Sequence, residues 1–156
     1  MNIDDLHSLI SQISAQIQKG HTLSQLTHLF NNYKGNDWKS FVKFNDHTHC
    51  KNFIYQSQSF DVILICWKQN QKTKIHDHPA QGCLMKVLIG QLNENIYQLD
   101  PYIQYISTHP LFIDQIGYKE GNSILHEIHS PVQSISLHIY SPGGYQAKYY
   151  ETTHFN

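Results

Sequence analysis

Two histidines separated by one residue, His76 and His78, are the side chains in this sequence that point most directly to chemistry. Side chains two positions apart in a β-strand face the same way, so both imidazoles would lie together, with Asp77 on the other face. A third histidine from a later strand would complete a three-imidazole metal site with open coordination positions. The alternative is a surface strand that contains two histidines. No carboxylate is evident nearby, so the two-histidine, one-carboxylate iron site is not favoured.

The candidate for the third imidazole is His126. Strand alternation places it between Ile124 and Ile128 on a face that is otherwise apolar. A buried imidazole needs a polar partner, and a metal ion supplies one. A core histidine that bonds a backbone carbonyl is the alternative. His129 is the competing ligand, but alternation puts it on the opposite face, so we predict His126.

A second polar pattern follows at Ser136, His138 and Tyr140, which alternate along one predicted strand and share one face. Hydroxyl, imidazole and phenol in this order predict a hydrogen-bonded series behind the metal pocket. A half-polar, exposed strand face is the alternative. Cys83 has three interpretations that the sequence leaves open: a fourth soft ligand, a reactive thiol or a small core residue.

Apolar spacing predicts helices in the first part of the chain. Residues 3–18 carry apolar residues at helical spacing, and Gly20 ends this helix. A capping box from Thr22 to Gln25 predicts the start of a second helix. Asp37 is predicted to cap a short third one.

After residue 50 the pattern changes to short β-strands rich in Ile, Val, Phe and Tyr. The predicted strands cover 52–55, 60–67, 74–78, 83–89, 91–98, 112–116, 122–128 and 133–140. Gly90 is predicted to form a tight hairpin turn. We expect a mainly β protein, an antiparallel barrel or jelly roll with short N-terminal helices. It would form a single domain over 1–156, with a helical part at 1–45 and the barrel at 50–150.

Composition limits the other function classes. The chain has 156 residues, 40% of them hydrophobic, and a formal net charge of -1. This size and composition predict a folded domain, and the lack of a basic stripe argues against nucleic acid as a partner. We expect no membrane span, no export signal and, with only three cysteines, a reducing cytoplasm. Most of the twelve histidines, including His154, are expected to have no special role.

The motifs in combination resemble the cysteine dioxygenases (type I), thiol dioxygenases of the cupin superfamily. The resemblance covers roughly residues 50–142. The matching segments are Cys66-Trp67, Ile75 to Pro79, Gly82 to Leu92, Leu125-His126 and Ser136 to Pro142. It implies a cupin-type barrel and Fe(II) held by His76, His78 and His126. The implied reaction converts L-cysteine and O2 to cysteine sulfinic acid, with no organic cofactor.

The resemblance also implies roles for the remaining candidates. Cys83 stands where other cupins carry a metal-binding glutamate, which accounts for the missing carboxylate. In part of the family this cysteine forms a thioether with a tyrosine, and Tyr140 stands at the tyrosine's place. His138 and Ser136 would form the relay behind Tyr140. Trp67 would form part of the pocket wall.

Two positions depart from the family pattern at the expected substrate site. Lys51 stands where the family usually has an arginine that binds the substrate carboxylate, and His49 replaces a tyrosine. Lysine keeps the charge but loses the two-pronged guanidinium geometry. We expect Lys51, with His49 beside it, to bind the carboxylate; an exposed strand-edge lysine is the alternative.

Three alternatives to a monomeric cysteine dioxygenase remain. The substrate could be another small thiol such as 3-mercaptopropionate, for which related dioxygenases have glutamine at the arginine position. The protein could be a cupin that binds a metal without catalysis. The ion could be zinc, which three histidines can also hold.

Overall fold

The fold consists of two five-stranded antiparallel sheets preceded by short helices, in a computed structural model that describes residues 1–152. The predicted mainly β class with short N-terminal helices is therefore confirmed. His154 lies outside the described residues. No helix within 1–152 combines the length and the apolar character that crossing a membrane requires.

The helices are α1 (Leu6–Gln18) and α2 (Thr27–Asn32), with 3-10 turns at Leu23–Gln25 and Asp37–Phe41. The strands are β1 (Cys50–Gln56), β2 (Asp61–Trp67), β3 (Ile75–His76), β4 (Cys83–Ile89), β5 (Gln91–Leu99), β6 (Ile103–Phe112), β7 (Ile116–Lys119), β8 (Ile124–His129), β9 (Ser134–Tyr140) and β10 (Tyr149–Tyr150). The first sheet has the order β1-β2-β9-β4-β7, and the second has the order β10-β3-β8-β5-β6.

Strand β2 separates two hydrophobic clusters, and all seven of its residues are buried. Val62 and Leu64 pack in the cluster that contains the N-terminal helices, whereas Ile63 and Ile65 pack in the second cluster, with residues of β4, β5 and β8. Burial on both faces explains why this strand is an uninterrupted apolar run rather than an alternating one. The helices thus cover the outside of the first sheet and leave its other face for the site.

Lys86 joins the helical part to the barrel. This residue is almost fully buried, with 1% exposure. Its Nζ donates to the carbonyl oxygens of Phe30 at 3.2 Å and Tyr33 at 3.0 Å, at the end of α2. These carbonyls lack partners within the helix, so the buried ammonium satisfies them and is satisfied in turn.

Gly90 is not a hairpin turn, contrary to the prediction. Strands β4 and β5 on either side of it belong to different sheets, so the chain turns a corner between layers there. Gly90 has φ +80°, and a Cβ atom would lie 2.5 Å from the Gln133 carbonyl oxygen and closer still to Ser134 Oγ. A positive φ and a close backbone approach require glycine in a corner as much as in a hairpin, so the sequence signal was ambiguous.

Two further local predictions were wrong. The strand expected at 112–116 does not form, because β6 ends at residue 112 and β7 begins at residue 116. β6 is a mostly exposed edge strand, so its polar residues obscure the alternating pattern that predicts a strand. Asp37 does not cap the third helix. Its carboxylate accepts from Leu6 N–H at 2.8 Å and from the Tyr33 hydroxyl at 2.7 Å, which stabilises the start of α1 instead. The predicted capping box is present, but it begins a 3-10 turn.

Substituting Gly90 with alanine should destabilise the protein more than the same change at Gly20. Both glycines have positive φ, which costs alanine about 1–2 kcal/mol, but only Gly90 has a neighbour in the way, which adds about 1–3 kcal/mol. Urea unfolding of Gly90→Ala and Gly20→Ala measures the free energy of unfolding of each variant. Equal losses of stability in the two variants would contradict the close backbone approach at Gly90.

Candidate metal centre and active site

Three imidazoles converge at the meeting point of β3 and β8. His76 is paired directly opposite His126 in the antiparallel register, and His78 lies just past the end of β3. One ring nitrogen from each residue lies within 4.8 Å of the others, and the Nε2 atoms of His76 and His126 are 3.0 Å apart. Among residues 1–152, this is the group of histidine, cysteine and acidic side chains whose arrangement suits a metal ion. His129, the competing ligand, is not part of it.

His78 gives the clearest sign that a cation fits here. It has 4% exposure, and neither of its buried ring nitrogens makes a hydrogen bond of normal geometry. Such an unpartnered polar group costs about 1–3 kcal/mol, which a bound cation would offset. Burial, followed by His126 and His76, lowers the pKa of His78 to about 2; burial and then His126 lower that of His76 to about 3. Both rings are therefore neutral at pH 7, with a lone pair available for a metal.

The other two rings are oriented by hydrogen bonds from their far nitrogens. His76 Nδ1 donates to the Lys74 carbonyl oxygen at 2.7 Å, and His126 Nδ1 donates to Glu94 Oε2 at 2.7 Å. Each bond leaves Nε2 free to bind an ion, an arrangement common around protein metal sites.

Glu94 is a functional candidate that the sequence pattern did not single out, because no carboxylate was expected near the histidines. A signal was present: Glu94 lies between Leu92 and Ile96 on the buried face of β5. Burial raises its pKa, but the His126 hydrogen bond and the Lys119 charge lower it more, so the carboxylate is ionised. It supports a ligand and does not belong to the three-imidazole group itself.

Two of the three imidazoles, those of His76 and His126, border a cavity of about 510 Å³. Most of the predicted site residues line it: His49, Lys51, Trp67, His76, Cys83, His126, His138 and Tyr140. Ser136 and His78 lie behind this wall. The barrel thus brings together residues from β1, β2, β3, β4, β8 and β9.

Cys83 and Tyr140 stand directly opposite each other on β4 and β9. The Cys83 thiol donates to the Leu84 carbonyl oxygen at 3.7 Å, and the Tyr140 phenol lies close enough to affect the pKa of the thiol. Burial, followed by the charge of Glu94, raises the pKa of Cys83 to about 12, and burial also raises the pKa of Tyr140. Both groups are therefore protonated at neutral pH. Cys83 is not among the converging metal-ligand atoms.

The polar series on β9 is continuous, and Trp67 of β2 adds one member before Ser136 that the sequence did not predict. Trp67 Nε1 donates to Ser136 Oγ at 2.9 Å, and Ser136 Oγ lies 2.7 Å from His138 Nε2. His138 Nδ1 lies 3.5 Å from the Tyr140 hydroxyl. Burial lowers the pKa of His138, so its ring is neutral. Ser136 accepts from Trp67, so its own proton is available to His138 Nε2; with that bond made, Nδ1 carries the proton that faces Tyr140.

The two residues that depart from the family pattern form one side of the cavity. The ring of His49 stacks on Trp67 with centroids 4.8 Å apart. Burial and then the nearby charge of Lys51 lower the pKa of His49 to about 4, which keeps the ring neutral. Lys51 stays in contact with solvent, while partial desolvation by the cavity wall lowers the pKa of its ammonium.

A segment after β9 contacts β3, the strand that carries His76, and holds it in position. The sequence did not predict a role for this segment. Asp77 accepts from Lys148 N–H at 2.9 Å and from the Tyr145 hydroxyl. Tyr149 of β10 pairs with His76. Strand β3 has only two residues, so this segment and β8 together fix its position.

Comparison with known proteins gives the same answer at the level of family and fold. The family model "Cysteine dioxygenase type I" matches residues 2–153. "Cysteine dioxygenase type 1" of Danio rerio is 26% identical over 151 residues, covering 90% of this chain and 72% of the relative. The protein of the same name from Homo sapiens is 26% identical over 114 residues, covering 68% of this chain and 57% of the relative.

Solved structures confirm the cupin-type barrel. A Klebsiella pneumoniae protein with a double-stranded β-helix domain has a TM-score of 0.60 at 15% identity, covering 73% of this chain and 94% of its own. An RmlC-like cupin from Desulfovibrio desulfuricans has a TM-score of 0.53 at 20% identity, covering 65% and 89%. At these identities the likeness shows the fold alone.

The family match extends over the N-terminal helices as well as the barrel, further than the segments that suggested it. The named relatives are dioxygenases, which indicates an oxidoreductase enzyme of that class. The chain belongs to the cysteine dioxygenase type I family.

Proposed function

We propose that this protein is an Fe(II)-dependent thiol dioxygenase that converts L-cysteine and O2 to cysteine sulfinic acid. The observation that carries the proposal is the convergence of His76, His78 and His126 beside the cavity, where neither buried ring nitrogen of His78 makes a hydrogen bond of normal geometry. Iron held by these rings would supply the redox chemistry that joins O2 to the sulfur. Both oxygen atoms end on the sulfur, which itself provides the electrons, so no separate reductant is needed.

The donor set suits an anionic sulfur ligand. Neutral imidazoles add no charge, so a divalent ion keeps its full charge and favours the thiolate over the thiol. A carboxylate in the same set would reduce that preference. The arrangement therefore matches a small thiol better than a substrate that binds through neutral oxygen atoms.

Lys51 is proposed to bind the carboxylate of the substrate. It is a cation in the cavity wall, and His49 beside it stays neutral and does not compete for the anion. Holding the carboxylate would fix the distance between the thiol and the metal, which is the orientation term that accelerates bound reactions. A lysine serves this purpose with one strong, less directional contact.

Tyr140 is proposed to direct its hydroxyl proton into the cavity. With the Nδ1 proton of His138 directed at the phenol oxygen, the Tyr140 hydroxyl would donate away from His138. A donor of this kind stabilises negative charge that develops on oxygen during the reaction. Trp67 and Ser136 hold the far end of the series and keep the tautomer in place.

Cys83 and Tyr140 are proposed to form a thioether bond. The proposal is supported by the register, in which the two residues are direct cross-strand partners. The bond would join Sγ to a ring carbon, with loss of the S–H and C–H protons and of two electrons to O2.

Iron-loaded protein should consume O2 fastest with L-cysteine. We expect lower rates with 3-mercaptopropionate, which lacks the amine, and with cysteamine, which lacks the carboxylate that Lys51 would hold. Oxygen-electrode traces across this panel, with product identified by mass spectrometry, test the proposal. A preference for 3-mercaptopropionate would assign that substrate instead, and no uptake with any thiol would favour a non-catalytic metal-binding protein. Activity with zinc in place of iron would exclude the redox mechanism.

Removing one ligand should abolish iron binding and leave the fold intact. His126→Ala and His78→Ala each take one imidazole from the group, whereas His129→Ala removes a ring from the same strand as His126 but outside it. We expect bound iron and turnover to fall to background in the first two variants and to be unchanged in the control. Metal analysis and circular dichroism measure this. Retained turnover in either ligand variant would contradict the assignment.

Loss of the Lys51 charge should weaken binding of cysteine selectively. A charge-assisted hydrogen bond contributes about 1.5–3 kcal/mol, so Lys51→Ala should raise KM for L-cysteine by about 10- to 100-fold. KM for cysteamine should change little, and Lys51→Arg should keep KM for cysteine near the parent value. Steady-state oxygen uptake checks all three. Equal effects of Lys51→Ala on both thiols would remove Lys51 from this role.

A further inference from the structure

We propose that Glu94 and Lys119 are positioning residues that tune the metal site from behind His126. Glu94 fixes the His126 ring and increases its strength as a ligand, and Lys119 neutralises the carboxylate so that the site keeps its positive charge. The inference rests on the proposed metal site, but it concerns residues outside the ligand group.

The contact between Glu94 and His126 is short and buried. Glu94 Oε2 lies 2.7 Å from His126 Nδ1, and Glu94 and His126 have 4% and 6% exposure. An ionised carboxylate at this depth costs several kcal/mol unless it is paired. The buried carboxylate of Glu94 is therefore stabilised by a specific partner, the His126 ring, and not by contact with water.

Lys119 takes the other oxygen of the same carboxylate. Its Nζ lies 3.3 Å from Glu94 Oε1, and its side chain has 27% exposure. Lys119 belongs to β7 in the first sheet, and Glu94 belongs to β5 in the second. The ion pair thus crosses between the two layers of the barrel and fixes where the carboxylate stands.

The two residues should act on the metal in opposite directions. A carboxylate that accepts the Nδ1 proton pushes electron density onto the imidazole and raises its affinity for a cation, and loss of such a partner typically costs about 10- to 100-fold in affinity. A cation beside that carboxylate withdraws part of this density. Lys119 therefore preserves the net charge that attracts a thiolate.

The matched control is Glu127, the residue next to His126 on the opposite face of β8. It also has a lysine partner, with Lys72 Nζ at 3.8 Å, and it accepts from Asn95 Nδ2 at 3.0 Å. Glu127→Gln removes one carboxylate charge from the residue next to His126 without removing a contact of the His126 ring.

Metal affinity tests the proposal without relying on turnover. Apoprotein is titrated anaerobically with Fe(II), and separately with Co(II), in competition with a chromophoric chelator. We expect Glu94→Gln to bind each ion about 10- to 100-fold more weakly than the parent, and Glu127→Gln to bind like the parent. Lys119→Met should bind each ion at least as tightly as the parent, because the cation that withdraws electron density from the carboxylate is gone. The visible spectrum of the cobalt-loaded variant should show that it binds L-cysteine severalfold more weakly than the parent does.

Glu94→Gln leaves the Lys119 ammonium without its partner. The double variant Glu94→Gln/Lys119→Met therefore serves as a second test, because neither side chain of the pair is then left as an unpaired charge. It should melt like the parent and still show the reduced metal affinity. Parent-like affinity in both Glu94 variants would overturn the role of Glu94, and a loss in Lys119→Met as large as in Glu94→Gln would overturn the role of Lys119. If the parent itself bound neither ion, the proposed metal site would fail instead.

Discussion

The site depends on the pairing of a two-residue strand, β3, with β8. This register places His76 opposite His126, and these residues are 50 positions apart in the chain. A strand so short has few backbone hydrogen bonds of its own, so its position comes from its neighbours. β8 holds one side, and β10 with the Asp77 contacts holds the other. If β3 shifted by one residue, both His76 and His78 would point away from His126.

Burial determines the charge state of nearly everything around the cavity. It keeps the imidazoles of His76, His78 and His138 neutral and the Cys83 thiol and Tyr140 phenol protonated. Charged groups remain in the wall, Lys51 among them, and the Glu94–Lys119 pair lies behind a ligand. Where the wall excludes water, each electrostatic contact that a substrate would make is strengthened.

The two sheets of the barrel carry different parts of the site. The second sheet carries His76, His126 and Glu94, whereas the first carries the Trp67 to Tyr140 series and Lys51. The N-terminal helices pack on the outside of the first sheet, and Lys86 joins them to β4. Rigid support behind β2, β4 and β9 holds hydrogen-bonded side chains in one arrangement, which a relay of neutral groups requires.

Local pattern was enough to predict the strand class, the shared face of His76 and His78, the choice of His126 over His129 by alternation, and the order of Ser136, His138 and Tyr140. These follow from a period of two along a strand, which operates over a few residues. The corner at Gly90, the β6 and β7 boundaries, the distant partners of Asp37 and the Glu94–His126–Lys119 contacts depended on which strands become neighbours. Sequence alone leaves that open, because a glycine with positive φ or an acid on an apolar face looks the same whatever packs against it. Only the tertiary structure brings those distant groups within bonding distance.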